Sequence, residues 1–91
     1  MNHQYILFYS STCGPCEDIR PLIKEFSKTH TITQIEDNDD NDIFFDTWNV
    51  NYLPTLLVLT ENTQEIIKTI TGVDSIEKYI HDITKSNRTS R

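Results

Sequence analysis

Apolar positions along this chain fall into runs whose spacing changes sharply, and the changes predict its elements. Tyr5-Ile6-Leu7-Phe8-Tyr9 is a short apolar and aromatic run, hydrophobic on both faces as far as Phe8, which predicts a central strand over residues 4–9. Ser10, Ser11 and Thr12 then form a polar turn. Beyond it Ile19, Leu22, Ile23 and Phe26 recur at i, i+3, i+4 and i+7, predicting an amphipathic helix over 13–28. Pro15 is tolerated in its first turn, where a missing N–H removes only a donor with no intrahelical partner, whereas Pro21 inside it predicts a kink. Residues 31–35 alternate, with Ile32 and Ile35 apolar, and predict a second, shorter strand. The acidic run from Glu36 to Asp42 repeats oxygen ligands as a calcium loop does. It lacks the glycine of the sharp turn, however, and the bidentate glutamate position falls on Trp48. The run is read instead as the acidic cap of a short helix over 40–48 that buries Phe44 and Trp48.

After a polar turn and Leu53-Pro54, Thr55-Leu56-Leu57-Val58-Leu59 forms a second nearly continuous apolar run, again the mark of a strand covered on both sides. Residues 61–64 turn into a strand over 65–71, where Ile66 and Ile67 break the alternation, Ile70 restores it and Gly72 ends it. Asp74 through Glu77 fits a capping box, and Ile76, Tyr79, Ile80 and Ile83 share one face of a last helix. The element order is β-α-β-α-β-β-α, without internal repeat or linker. A single α/β domain over residues 1–85, with a four-stranded mixed sheet and helices on both faces, accommodates it, leaving 86–91 as a polar, frayed tail.

Composition narrows the function classes. At 91 residues, 36% hydrophobic and 24% charged, the chain has the balance of a small globular domain with one core and little surplus stability. A net charge of −6 argues against nucleic acid, and the absence of a basic amphipathic helix argues against an anionic membrane surface. The N-terminal apolar run is too short for a signal-peptide core, and none approaches a membrane span. A cytoplasmic location is the default expectation.

The candidate chemistry lies where strand period gives way to helix period. Both cysteines of the chain are there, in Cys13-Gly14-Pro15-Cys16. A cysteine at a helix N-terminus faces unpartnered N–H groups and the positive end of the helix dipole, which favour thiolate over thiol. A disulfide closing so tight a loop removes little unfolded-state entropy, so the pair reads as catalytic rather than structural. His3, His30 and His81 have no ligand-like spacing, and no metal site is expected.

Several of these features together resemble the thioredoxin family in a minimal, glutaredoxin-sized form. They are the apolar strand leading into Cys13-Gly14-Pro15-Cys16, Pro21 eight positions after the first cysteine, Leu53-Pro54-Thr55 before an apolar strand, and Gly72 after the hairpin. The resemblance implies a thioredoxin-like fold and disulfide reduction without a cofactor, with Cys13 as attacking thiol and Cys16 as the resolving one. It also implies a cis Pro54 that presents the Leu53 backbone to an extended substrate, beside Gly14 and Pro15. Tyr9 fits either the rim of this site or the core, and Trp48 is assigned mainly to the core. The implied partners are disulfide-containing proteins and an electron donor, either a reductase or glutathione, acting on a monomer.

Departures from the family pattern are equally specific. Thr12 stands where a Trp is usual, Leu7 where an Asp is buried, and Glu17 where a basic residue often follows the second cysteine. The Lys that pairs with that Asp has its place near Ile35. Two alternatives remain. One is a glutaredoxin-like protein that holds glutathione at the Thr55 backbone and Asp74-Ser75, although Asp74 and Glu77 make that corner acidic. The other is a non-catalytic binding module on the same scaffold.

Overall fold

The two strands with uninterrupted apolar runs, β1 (His3–Tyr9) and β3 (Thr55–Thr60), take the inner places of a four-stranded sheet ordered β2-β1-β3-β4. The computed structural model of the chain describes residues 3–89, with side chains described as far as residue 84. β1 pairs in parallel with β2 (Ile32–Glu36) and antiparallel with β3, which pairs antiparallel with β4 (Ile66–Thr71). A parallel neighbour requires a crossover, and α1 (Gly14–Phe26) provides it. The fold is the thioredoxin-like α/β arrangement anticipated, with α1 and α3 (Val73–Thr89) on one face and α2 (Asp42–Thr47) on the other.

Alternation along the strands divides the apolar side chains into two cores. Tyr5 and Leu7 of β1, Leu56 and Val58 of β3 and Ile70 of β4 meet Ile19, Ile23 and Phe26 of α1 and Ile76 and Ile80 of α3. On the other face Phe8, Leu57 and Leu59 pack with Val50, flanked by Ile35, Phe45, Trp48 and Leu53. Phe8 is fully buried and meets Phe45 edge to face, with ring centroids 4.9 Å apart.

α2 corrects one expectation, since Phe45 and not Phe44 turns inward with Trp48, and Phe44 is 44% exposed. Residues three and four apart both share a helix face, so Phe44 or Phe45 pairs equally well with Trp48 in sequence. A 3₁₀ turn (Asp39–Asn41) ahead of α2 sets its rotation. The Asn38 side chain caps that turn, accepting the Asn41 N–H at 3.1 Å, while Asn41 Nδ2 donates to the Glu36 carbonyl at 2.8 Å. Among the described residues, no group of three or more His, Cys, Asp or Glu side chains is arranged to hold a metal.

The broken alternation of Ile66 and Ile67 has a geometric cause. Val58 pairs with Lys68 and Leu59 with Ile66, so a bulge takes up Ile67 and both isoleucines are exposed on this edge strand. Gly72, at φ +91°, turns the chain from β4 directly into α3, which opens at Val73 and places Asp74 inside the first turn rather than at the cap. α3 continues past Lys85 to Thr89, with no Gly or Pro in that stretch to stop it. Ser90 and Arg91 of the expected tail lie outside the described residues.

Candidate active site

β1 ends at Tyr9, and the following turn is held by its own polar atoms. Thr12 N–H donates to Ser10 Oγ at 3.2 Å, and Cys13 N–H donates to the Ser10 carbonyl at 3.2 Å. This places Cys13 at the cap of α1 in an extended conformation (φ −89°, ψ 115°). Its Sγ accepts the Cys16 N–H at 3.3 Å. The sulfur therefore stands where a capping Ser or Asp oxygen commonly stands, receiving a first-turn N–H that has no carbonyl partner. Gly14 and Pro15 are exposed, and open space surrounds the Gly14 Cα. Cys13 is half-buried and Cys16, one turn in, is only 4% exposed; both are free thiols.

Burial pushes the Cys16 thiol up from 9.0 to about 11. Its hydrogen bond with Cys13 and the negative charges of Cys13 and Glu17 act in the same direction, while a backbone hydrogen bond at Ser10 opposes them. Glu17 itself is exposed and pairs with Arg20, Oε2 to NH2, at 2.8 Å. So exposed a pair contributes little to stability.

Below Cys16 lies a cavity of about 170 Å³ lined by Leu7, Tyr9, Cys16, Ile19, Arg20, Ile23 and Gln34. Leu7, 3% exposed, occupies its floor position on β1. The residue in register with Leu7 on β2 is Gln34, not Ile35; Ile35 pairs with Phe8 and points to the opposite core. A one-residue step along a strand changes the face, and the neighbourhood of Ile35 is divided accordingly. The surroundings of Cys16 thus hold a hydrocarbon and a neutral amide where the family pattern has an acid and an amine.

The Leu53–Pro54 peptide is cis. Phe8 is in register with Thr55, so the 53–54 segment enters the sheet at the end where β1 runs into the cysteine turn. Two hydrogen bonds hold it there. Gly72 N–H donates to the Pro54 carbonyl at 2.9 Å, and the buried Thr55 Oγ1 donates to the Tyr52 carbonyl at 2.6 Å. Leu53 is half-buried against the Phe8 core, and Tyr52 beside it is 71% exposed. Tyr9 is half-buried between the α1 core and the Cys16 cavity. Trp48 lies elsewhere, packed with the Phe8 core and lining a separate cavity with Gln4, Ile6 and Leu59 toward the start of β1. Sequence reasoning missed Arg20 and Gln34. Arg20 was accessible to it, as the residue one turn beyond Cys16 on α1; Gln34 depended on register.

Solved structures with the same architecture include thioredoxin f2 from Chlamydomonas reinhardtii, 20% identical, with a TM-score of 0.77 over 93% of this chain and 79% of that one. Thioredoxin f2 in its complex with ferredoxin:thioredoxin reductase gives 22% identity and a TM-score of 0.78, covering 94% and 78%. Oxidised thioredoxin from Plasmodium falciparum gives 22% and 0.73, covering 90% and 81%. The family model for Thioredoxin matches residues 2–85, nearly the whole chain and every element of the sheet, and the chain therefore belongs to the thioredoxin family.

Proposed function

We propose that the protein is a thiol–disulfide oxidoreductase that reduces disulfides in other proteins through Cys13 and Cys16. The observation that carries this reading is the Cys13 sulfur at the cap of α1, with the Cys16 N–H donated to it at 3.3 Å and the Cys16 thiol buried behind it. A thiolate at Cys13 attacks one sulfur of the substrate disulfide, and the other leaves as a thiolate that takes a proton from water. Cys16, deprotonated in turn, attacks Cys13 Sγ. The bond between Cys13 and the substrate breaks, its electron pair leaves on the substrate sulfur, and Cys13 and Cys16 end as a disulfide. Two electrons pass to the substrate, and a separate donor must return them.

Exposed Gly14 and Pro15, the Leu53–Pro54 segment and the neighbouring Tyr9 frame the approach to Cys13. The Leu53 backbone offers an extended substrate a short strand-like pairing. For the electron donor, a dithiol reductase is favoured over glutathione. One structural neighbour is a thioredoxin bound to its reductase, and the start of α3, where a glutathione carboxylate would rest, carries the exposed Asp74. A reducing compartment such as the cytoplasm suits a pair that works from the dithiol state. Dithiol-driven reduction of insulin disulfides tests the reading. The protein accelerates it, Cys13→Ser abolishes the acceleration, and Cys16→Ser abolishes turnover while trapping a mixed disulfide at Cys13. No acceleration by the wild type, or the same rate in both variants as in the wild type, would leave a binding module as the better description.

A further inference from the structure

The resolving thiol is the chemically awkward part of this site, because it is buried and the residue beneath it is Leu7. Its surroundings nevertheless contain a polar exit. The cavity under Cys16 is lined by three residues with polar side chains, Tyr9, Arg20 and Gln34, and the last two are exposed, so its mouth opens to solvent between α1 and β2. At about 170 Å³ it has room for water, and these side chains supply the two to four polar partners that a held water needs. Arg20 is four residues after Cys16 on α1, which brings the two side chains together on one face of the helix.

Building on the oxidoreductase reading, we propose that Cys16 loses its proton to water in this cavity and that Arg20, at the cavity mouth, stabilises the Cys16 thiolate while it attacks Cys13. Arg20 takes over electrostatically a task that a buried acid would perform by taking the proton. In the dithiol form its guanidinium is held by Glu17, three residues away, through an exposed ion pair that yields easily. Negative charge appearing on Cys16 offers Arg20 a second, better shielded partner on the same helix face. The step balances simply. The proton of Cys16 goes to water, its electron pair forms the bond to Cys13 Sγ, and the departing substrate sulfur takes the pair of the broken bond and then a proton.

Other groups around Cys16 do not duplicate this role. From α1 they are Cys13 and Glu17, both of which oppose ionisation. β1 presents Tyr9, and β2 presents the uncharged Gln34, with Glu36 in register with Tyr9 two residues further on. α3 contributes Ile76 and Ile80 to the adjoining core, and its Tyr79 interacts with Tyr5. Arg20 is the one cation among the described residues that line the cavity.

Rapid mixing of the reduced protein with one equivalent of a chromogenic aryl disulfide separates the two steps. The first equivalent of coloured thiol reports attack by Cys13 and depends on concentration, whereas the second reports attack by Cys16 and does not. The rate of the second phase is followed against pH in wild type, Arg20→Gln, Arg20→Lys and Glu17→Gln. With Arg20 in the proposed role, Arg20→Gln raises the midpoint of that profile by about one pH unit and slows the phase about three- to fourfold at neutral pH, because the more basic thiolate recovers part of the tenfold loss in its population. Arg20→Lys restores most of the rate, Glu17→Gln lowers the midpoint, and the first phase stays within about twofold in the Arg20 variants. A midpoint unmoved by Arg20→Gln, with both phases present, overturns the role of Arg20 alone. A wild-type protein with no second phase overturns the oxidoreductase reading and this inference with it.

Discussion

Leu7→Asp tests what a hydrocarbon beneath Cys16 does to the proposed attack of that thiol on Cys13. Wild-type Cys16 is raised from 9.0 to about 11, so about one molecule in ten thousand carries the thiolate at pH 7, against about one in a hundred for an unshifted thiol. A more basic thiolate is also a better nucleophile, with a Brønsted slope of about 0.45, which returns close to tenfold of that hundredfold deficit. Burial, the largest cause of that shift, persists when Cys13 is bonded to substrate, so resolution is slower at neutral pH than the same geometry would permit with an ordinary thiol. A carboxylate in the cavity beside Cys16 can take the proton locally, so Leu7→Asp speeds the unimolecular resolution phase at pH 7 by about tenfold or more and flattens its rise with pH. Stability moves the other way. Leu7 is 3% exposed, and losing its burial costs about 1.5–3 kcal/mol. Placing a carboxyl group there adds roughly 1–3 kcal/mol, reduced by whatever water the cavity admits. The two readouts are the second phase of thiol release and the urea midpoint of the reduced protein. An unchanged or slower second phase in a variant that is folded and still forms the mixed disulfide at the wild-type rate would refute the reasoning.

Two further expectations concern the scaffold around the site. Burial keeps Cys16 protonated in the fold, so between pH 9 and about 11 the folded protein binds more protons than the unfolded chain, and stability falls as pH rises through that window. The loss relative to Cys16→Ser is at most about 3 kcal/mol and is absent below pH 9. Tyr5, pushed up to about 12 chiefly by burial, contributes equally to both proteins and cancels in the comparison, which urea titrations at pH 8 and pH 10 make. In α2, Phe45→Ala removes the edge-to-face partner of Phe8 and costs about 3 kcal/mol, whereas Phe44→Ala, on the exposed side, costs less than about 1 kcal/mol; equal denaturation midpoints would contradict the assigned helix rotation.

The element order, the two inner strands and the cysteine pair at the strand–helix junction were all legible in the amino-acid sequence. Each rests on a local signal: an apolar run long enough to be covered on both sides, a switch of period from strand to helix, and a residue type tied to a helix start. Tyr5 to Tyr9 and Thr55 to Leu59 needed no tertiary information to be read as central strands. What the tertiary structure alone decided is how neighbouring elements are rotated and registered against one another. Phe45 rather than Phe44 faces the core because a capped 3₁₀ turn sets the phase of α2, and i+3 and i+4 spacings cannot be ranked before that phase is known. Gln34 rather than Ile35 lies across from Leu7 because strand register comes from pairing over the whole sheet, and one step of slip exchanges the faces. The surroundings of Cys16 depend on both kinds of choice. Its identity and its place on α1 are local facts, but the cavity beneath it, open between Arg20 and Gln34, exists only where a helix and two strands are brought together.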